Sequence, residues 1–231
     1  MTEKWFITGT DTEVGKTIAS GALLQATHQA GFRCAGYKPV ASGSLSTPEG
    51  IRNEDALHLL ANSRVSLTYD EVNPLAFVEP TSPHIISAFE QRPISFDMMS
   101  QGLNAMSAKA DWILVEGAGG WYTPLSEDYT FADWVSVEQL PVIMVVGIKL
   151  GCINHALLTA QAVAHAGLTL AGWIANDVQP TGRWHAEYLA TLRQLIQAPL
   201  LGEIPFVSSP RTQTLGQHLN LSLLATNQAD A

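Results

Sequence analysis

Basic side chains are scarce in this 231-residue chain: 12 lysines and arginines stand against 21 aspartates and glutamates, a formal net charge of −9. That sign argues against a cationic footprint broad enough to grip nucleic acid or an anionic membrane, and neither partner is expected. Cysteine is scarcer still. Cys34 and Cys152 both lie in apolar stretches, so they read as buried reduced thiols rather than a disulfide framework. Long apolar runs are missing as well. The longest, Pro141 to Ile148, falls far short of the ~20 residues of a membrane-crossing helix. The opening residues Met-Thr-Glu-Lys-Trp-Phe-Ile lack the pattern of a secretory leader, so a cytoplasmic location is expected. The seven histidines show no paired metal-ligand spacing, and neither H-E-x-x-H nor G-x-S-x-G occurs. Zinc-hydrolase and serine-hydrolase chemistries thus lose their usual signatures.

What is present is an apolar, globular composition, 46% hydrophobic and 14% charged, which excludes disorder. Such a length buries roughly 70–75% of the unfolded surface without cross-links. Runs at Lys4–Thr8, Arg33–Val40, Trp112–Glu116, Val142–Ile148 and Leu170–Asn176 read as strands. Most are continuously apolar, as expected of parallel strands covered on both faces. Between or after them lie helix-like segments near 16–30, 97–109, 153–166 and 183–197. The first should turn Ile18, Ala22, Leu23 and Ala26 inward and end on a left-handed Gly31. A short strand at 200–204 and a helix near 213–224 complete the order. The alternation predicts a three-layer α/β fold with a mainly parallel sheet. One domain over 1–231 is expected, with an excursion at 41–93, rich in Ser, Thr, Pro and Asn, holding one or two short helices and lining a site.

The strongest local signal is Gly9-Thr10-Asp11-Thr12-Glu13-Val14-Gly15-Lys16-Thr17, after a strand and before a helix. That context suits a phosphate-binding loop: backbone N–H groups and a helix N-terminus face phosphate oxygens, the lysine reaches the outer phosphates, and the threonine hydroxyl can ligate Mg²⁺. Five residues rather than four separate Gly9 from Gly15, a departure from the common spacing. A second element, Trp112-Ile113-Leu114-Val115-Glu116-Gly117-Ala118-Gly119-Gly120, brings a carboxylate and glycines to the carboxyl edge of the sheet. A dinucleotide fingerprint would need glycine where Tyr122 stands. The third, Gly36-Tyr37-Lys38-Pro39-Val40-Ala41-Ser42-Gly43, ends the second strand, so Lys38 and Lys16 can converge on one anion.

Together with Arg52-Asn53-Glu54-Asp55-Ala56, Glu79-Pro80-Thr81-Ser82-Pro83-His84, Gly151-Cys152-Ile153-Asn154-His155 and Gly202-Glu203-Ile204-Pro205, these motifs resemble the dethiobiotin synthetase family across residues 3–205. The resemblance implies a P-loop NTPase-like fold and an ATP- and Mg²⁺-dependent reaction. In that reaction 7,8-diaminononanoate and CO₂ close to dethiobiotin through a carbamate and a carbamic–phosphoric anhydride, in biotin biosynthesis. It implies catalytic roles for Lys38 and Lys16, and metal contacts from Thr17, Asp55 and Glu116. Nucleotide contacts would come from Glu13, Val14, Gly15, Lys16, Thr17, Ile18, Asp55, Glu116, Gly117, Ala118 and Gly119. The base would sit against Asn176, Asp177, Pro205, Phe206 and Val207. Thr12, Ser42, Asn154 and Tyr188 would bind the diamine, the last two across a homodimer interface. Asp55 has a plainer reading as a helix cap, Asn154 as an N-cap, and His84 as either a pocket wall or loop packing. The segment Val207–Thr214 matches no pattern. The rival reading is a nucleotide-switched partition or targeting ATPase. Such proteins usually carry a lysine five positions before the loop lysine, where this chain has Asp11.

Overall fold

The computed structural model describes residues 2–224; Met1 and 225–231, within the expected domain span, lie outside them. In chain order the elements are β1 (Glu3–Gly9), α1 (Lys16–Gln29), β2 (Cys34–Tyr37), β3 (Val40–Ala41), β4 (Leu45–Thr47) and β5 (Gly50–Arg52). Then follow α2 (Glu54–Asn62), α3 (Tyr69–Val72), β6 (Leu75–Ala76), α4 (Pro83–Glu90), α5 (Phe96–Ser107) and β7 (Trp112–Gly120). The rest are α6 (Phe131–Glu138), β8 (Val142–Gly147), α7 (Cys152–His165), β9 (Leu170–Asn176), α8 (His185–Leu195) and β10 (Leu200–Ile204).

Six strands form one parallel sheet in the order β10-β9-β8-β1-β7-β2. The strands are apolar on both faces because both faces are covered. Phe6, Ile113 and Val115 pack with Met99, Leu103, Phe131 and Trp134 on the α5–α6 side. Their neighbours Trp5, Ile7 and Leu114 pack with Leu23, Leu24 and Leu59 on the α1–α2 side. A third cluster joins Met144, Val146 and Trp173 to Leu189 and Leu192. This is the predicted three-layer α/β architecture. The register also sets the site: Ile7 pairs with Glu116 and Tyr37 with Val115, so Lys38, next after Tyr37, emerges beside Glu116.

Four expectations need correction. The second strand does not run to Val40 in the main sheet; it stops at Tyr37. Pro39 has no N–H to continue the ladder, and Val40–Ala41 pairs instead with Leu75–Ala76. Helix α1 is buried on nearly every side rather than on one face, with Ala19, Gly21 and Leu24 inside and Ile18 only half-buried; α2 and the C-terminal segment cover it. The excursion holds three helices, α2 to α4, and the β4–β5 hairpin. Finally, no helix spans 213–224. That stretch makes 3₁₀ turns at Gly216–His218 and Leu221–Leu223, because its backbone groups are taken elsewhere. The Gln25 side chain accepts from the Leu215 and Gly216 N–H groups at 2.7 and 3.0 Å, and Asn220 N–H donates to the Leu201 carbonyl at 2.8 Å. Gly31 does adopt the left-handed conformation that ends α1, φ 94°. Helix α6 was not anticipated, although its Thr130–Asp133 capping box is visible in sequence.

Candidate active site

The loop between β1 and α1 is shaped by contacts no other residue type permits. Gly15 has φ 87°, and a Cβ there would run into the Asn176 side-chain amide. Asn176 in turn donates to the Val14 carbonyl at 3.0 Å, so the end of β9 braces the loop from beneath. Glu13 is also left-handed, φ 59°. No side chain caps the start of α1, which leaves its first N–H groups directed at whatever anion enters.

Glu116 is 0% exposed, a position a carboxylate tolerates only when its oxygens are fully engaged. The Thr17 hydroxyl donates to it at 3.0 Å, the Ser20 hydroxyl at 2.6 Å and the Lys38 ammonium at 2.7 Å. The Lys38 ammonium lies 3.5 Å from Asp55 on its other side. Burial pulls the Lys38 pKa down, but the two carboxylates outweigh it and push it above the usual lysine value. Lys16 has the opposite balance. Burial, and then the Lys38 charge, lower its pKa to about 8.

Asp55 is not a helix cap: Asn53 caps α2, accepting from the Asp55 and Ala56 N–H groups at 3.0 and 3.3 Å. The Asp55 carboxylate is therefore available to the cleft. Although burial opposes ionisation, the Lys38 charge and the hydrogen bond from Arg211 hold its pKa down at about 2.

Lys38 and Asp55 line a cleft of about 460 Å³ with Thr12, Glu13, Gly15, Lys16, Thr17, Ile18, Ser42, Ala118 and Gly119, while Glu116 and Ser20 lie fully buried behind Thr17 and Lys38 and do not line it. An adjoining pocket of about 160 Å³ is lined by Asn176, Asp177, Ile204, Pro205, Phe206 and Val207, and Glu13, Ile18 and Pro210 border both. Val14 is buried under the loop and Gly117 against Phe6, and neither lines the cleft. Asn154 and Tyr188 do not line the cleft. Asn154 is exposed on α7, whose N-cap is Gly151 rather than an asparagine. Tyr188 lines a separate pocket of about 180 Å³ with Lys149 and Trp184. Asp177 pairs with His185 at 2.7 Å. His84 meets the Ser82 hydroxyl at 2.9 Å and lines a different groove with Ile94 and Tyr129.

Two participants went unforeseen. Ser20 sits one turn after Thr17 on α1, a spacing that puts both hydroxyls on one face. Arg211, from the segment without a pattern, reaches Asp55 at 2.9 Å; no sequence signal marked it.

Among the described residues no group of three or more His, Cys, Asp or Glu could hold a metal. Yet the Glu116 and Asp55 carboxylates flank the Lys38 ammonium, and the Thr17 hydroxyl joins them through Glu116. An all-oxygen set with few protein ligands fits Mg²⁺, which keeps waters and takes phosphate oxygens.

A protein family described as an AAA domain matches residues 3–213. ATP-dependent dethiobiotin synthetase BioD 1 of Escherichia coli K12 is 65% identical over 225 residues, covering 97% of this chain and 100% of that protein. BioD of Serratia marcescens is 65% identical over 226 residues, covering 97% and 100%. BioD 1 of Yersinia pestis is 62% identical over 237 residues, covering 100% and 99%. Among solved structures, the MinD cell division protein of Aquifex aeolicus matches with TM-score 0.56 at 14% identity, covering 94% of this chain and 93% of that one. A ParA family ATPase from Chlorobium tepidum matches at 0.55 and 13%, covering 95% and 91%. At that identity the likeness speaks for a shared P-loop NTPase fold and nothing finer.

Proposed function

The chain belongs to the ATP-dependent dethiobiotin synthetase family, and we propose that it makes dethiobiotin from 7,8-diaminononanoate, CO₂ and ATP. One amine adds to CO₂ and loses a proton, giving a carbamate. A carbamate oxygen attacks the γ-phosphorus of ATP and ADP leaves, giving a carbamic–phosphoric anhydride. The second amine attacks the carbonyl carbon, the bond to the phosphate oxygen breaks, and phosphate departs as the cyclic urea closes.

The cluster of Lys38, Glu116, Thr17 and Asp55 beside an uncapped helix start carries this reading. Transfer of a phosphoryl group asks mainly for positioning and charge stabilisation. Lys38, held charged and fixed by Glu116, is aimed at the carbamate without reorganisation. Lys16 and the loop N–H groups hold the β- and γ-phosphates. Thr17, Asp55 and Glu116 would hold Mg²⁺, which when bound neutralises phosphate charge. Thr12 and Ser42 orient the diamine, and the 160 Å³ pocket takes the adenine. Asn176 gives one of its two amide hydrogens to the phosphate loop and keeps the other, with its oxygen, for the base.

Asn154 and Tyr188 reach the diamine only from a second copy, so the enzyme is a homodimer in this reading, in the cytoplasm, with 41–93 forming one wall of a single ATP-binding domain. Supplying the diamine, bicarbonate, ATP and Mg²⁺ should yield dethiobiotin by mass spectrometry. Folded, ATP-binding protein that yields none overturns the reading. ATP-dependent change of oligomeric state without diamine-dependent turnover would favour the partition-type alternative, against which Asp11 stands.

A further inference from the structure

Both oxygens of Asp55 face cations: Oδ2 lies 3.5 Å from the Lys38 ammonium and Oδ1 2.9 Å from the Arg211 guanidinium. The two cations differ in freedom. Lys38 is 4% exposed and bonded to Glu116 at 2.7 Å. The Arg211 side chain is 41% exposed, and its other partners are the Glu54 carbonyl at 2.9 Å and the Glu54 carboxylate at 3.8 Å. A ligand that engages Asp55 therefore displaces the arginine, not the lysine. Arg211 rides on a 3₁₀ turn, Pro210–Thr212, and Pro210 borders both the phosphate cleft and the adjoining pocket. A freed guanidinium at that border stands over the path of a nucleotide's phosphates, whose oxygens match its planar fork of donors.

We propose that Arg211 is a nucleotide-phosphate ligand delivered by the C-terminal segment, parked on Asp55 in the free protein and transferred to the phosphates of a bound nucleoside di- or triphosphate. This rests on the nucleotide reading of the cleft, and the two fail separately. Wild-type protein that binds no ATP defeats the reading, whereas wild-type protein that binds ATP allows the arginine to be tested.

The experiment is calorimetric titration of the full chain with ADP, ATP and adenosine. Arg211→Ala should weaken ADP and ATP about tenfold and leave adenosine within twofold. KM for ATP should rise while kcat stays within about threefold, and Arg211→Lys should recover only part of the loss. A double-mutant cycle separates transfer from simple charge. In EDTA, Asp55→Asn should tighten ADP binding by releasing the arginine, and that gain should vanish in the double variant with Arg211→Ala. Equal losses for ADP and adenosine, unchanged ADP affinity in Arg211→Ala, or a gain that persists in the double variant would overturn the proposal. Should Arg211→Ala fold poorly, Arg211→Lys and Arg211→Gln give the same comparison.

Discussion

The floor and the rim of the cleft are built on different principles. The floor, Glu116 with Lys38, Thr17 and Ser20, is buried and carried by β7, the end of β2 and α1, all packed against the main core. The rim, Asp55 and Arg211, comes from the excursion and the C-terminal segment, and its side chains are 33% and 41% exposed. A buried cluster is held in place by the cost of leaving any member unpaired. An exposed pair exchanges partners at little cost. The floor is thus organised before any ligand arrives, and the rim is the part that a ligand rearranges.

Breaking the floor should cost both chemistry and stability. Lys38→Gln removes the group proposed to stabilise the carbamate and strips Glu116 of its cation, so turnover should fall about 10²–10³-fold. Stability should fall by about 3–5 kcal/mol, read as a lower denaturation midpoint. Unchanged turnover removes Lys38 from the mechanism. Breaking the rim should cost chemistry more than stability. Asp55→Asn should lower turnover about 10–100-fold, the worth of one charge-assisted contact, with a midpoint loss smaller than that of Lys38→Gln because the pair is partly exposed. A midpoint loss as large as that of Lys38→Gln would erase the distinction.

Smaller effects sharpen the comparison. Ser20→Ala deletes one of three donors to Glu116 and should cost about 1.5–3 kcal/mol of stability, leaving nucleotide affinity within twofold. The smallest effect is a proton. With the Lys16 pKa lowered to about 8 by burial and by Lys38, the free protein loses that charge above pH 8, and phosphate binding restores it. ADP affinity should then weaken toward tenfold per pH unit above pH 8, with proton uptake visible when calorimetry is repeated in buffers of different ionisation enthalpy. The stability of the free protein moves the other way. Between about pH 8 and the ordinary lysine value, the unfolded chain binds this proton more tightly, so Lys16 makes stability rise with pH. Lys38, whose pKa is raised, keeps its charge in that window.

The same division governs what could be read from the sequence. Most of the floor was legible because its pieces follow a strand, open a helix or lie in a strand: Gly15-Lys16-Thr17 after β1, Lys38 after β2, Glu116 in β7, which runs on to Gly120 rather than ending at the carboxylate; Ser20 carried no such mark. Parallel neighbours in register bring such residues together by topology alone. The rim was half legible. Asp55 stood in a recognisable motif, but the cap that frees it, Asn53, emerged only from its hydrogen bonds. Arg211 was invisible, since a 3₁₀ turn has no periodicity and its position depends on Gln25 and β10 holding the following segment. The helix expected at 213–224 failed for the same reason: tertiary partners for the backbone outweighed local propensity. Pro39 could have marked the true end of the second strand.

The central claim, that this cleft phosphorylates a carbamate oxygen to drive ring closure, has a direct test. Freshly dissolved C¹⁸O₂ is mixed with protein, diamine, ATP and Mg²⁺ in unlabelled water for a single turnover, and the released phosphate is analysed by mass spectrometry. The account predicts one heavy oxygen in the phosphate, carried over when the anhydride breaks at the carbonyl. Dethiobiotin formed together with unlabelled phosphate would contradict it.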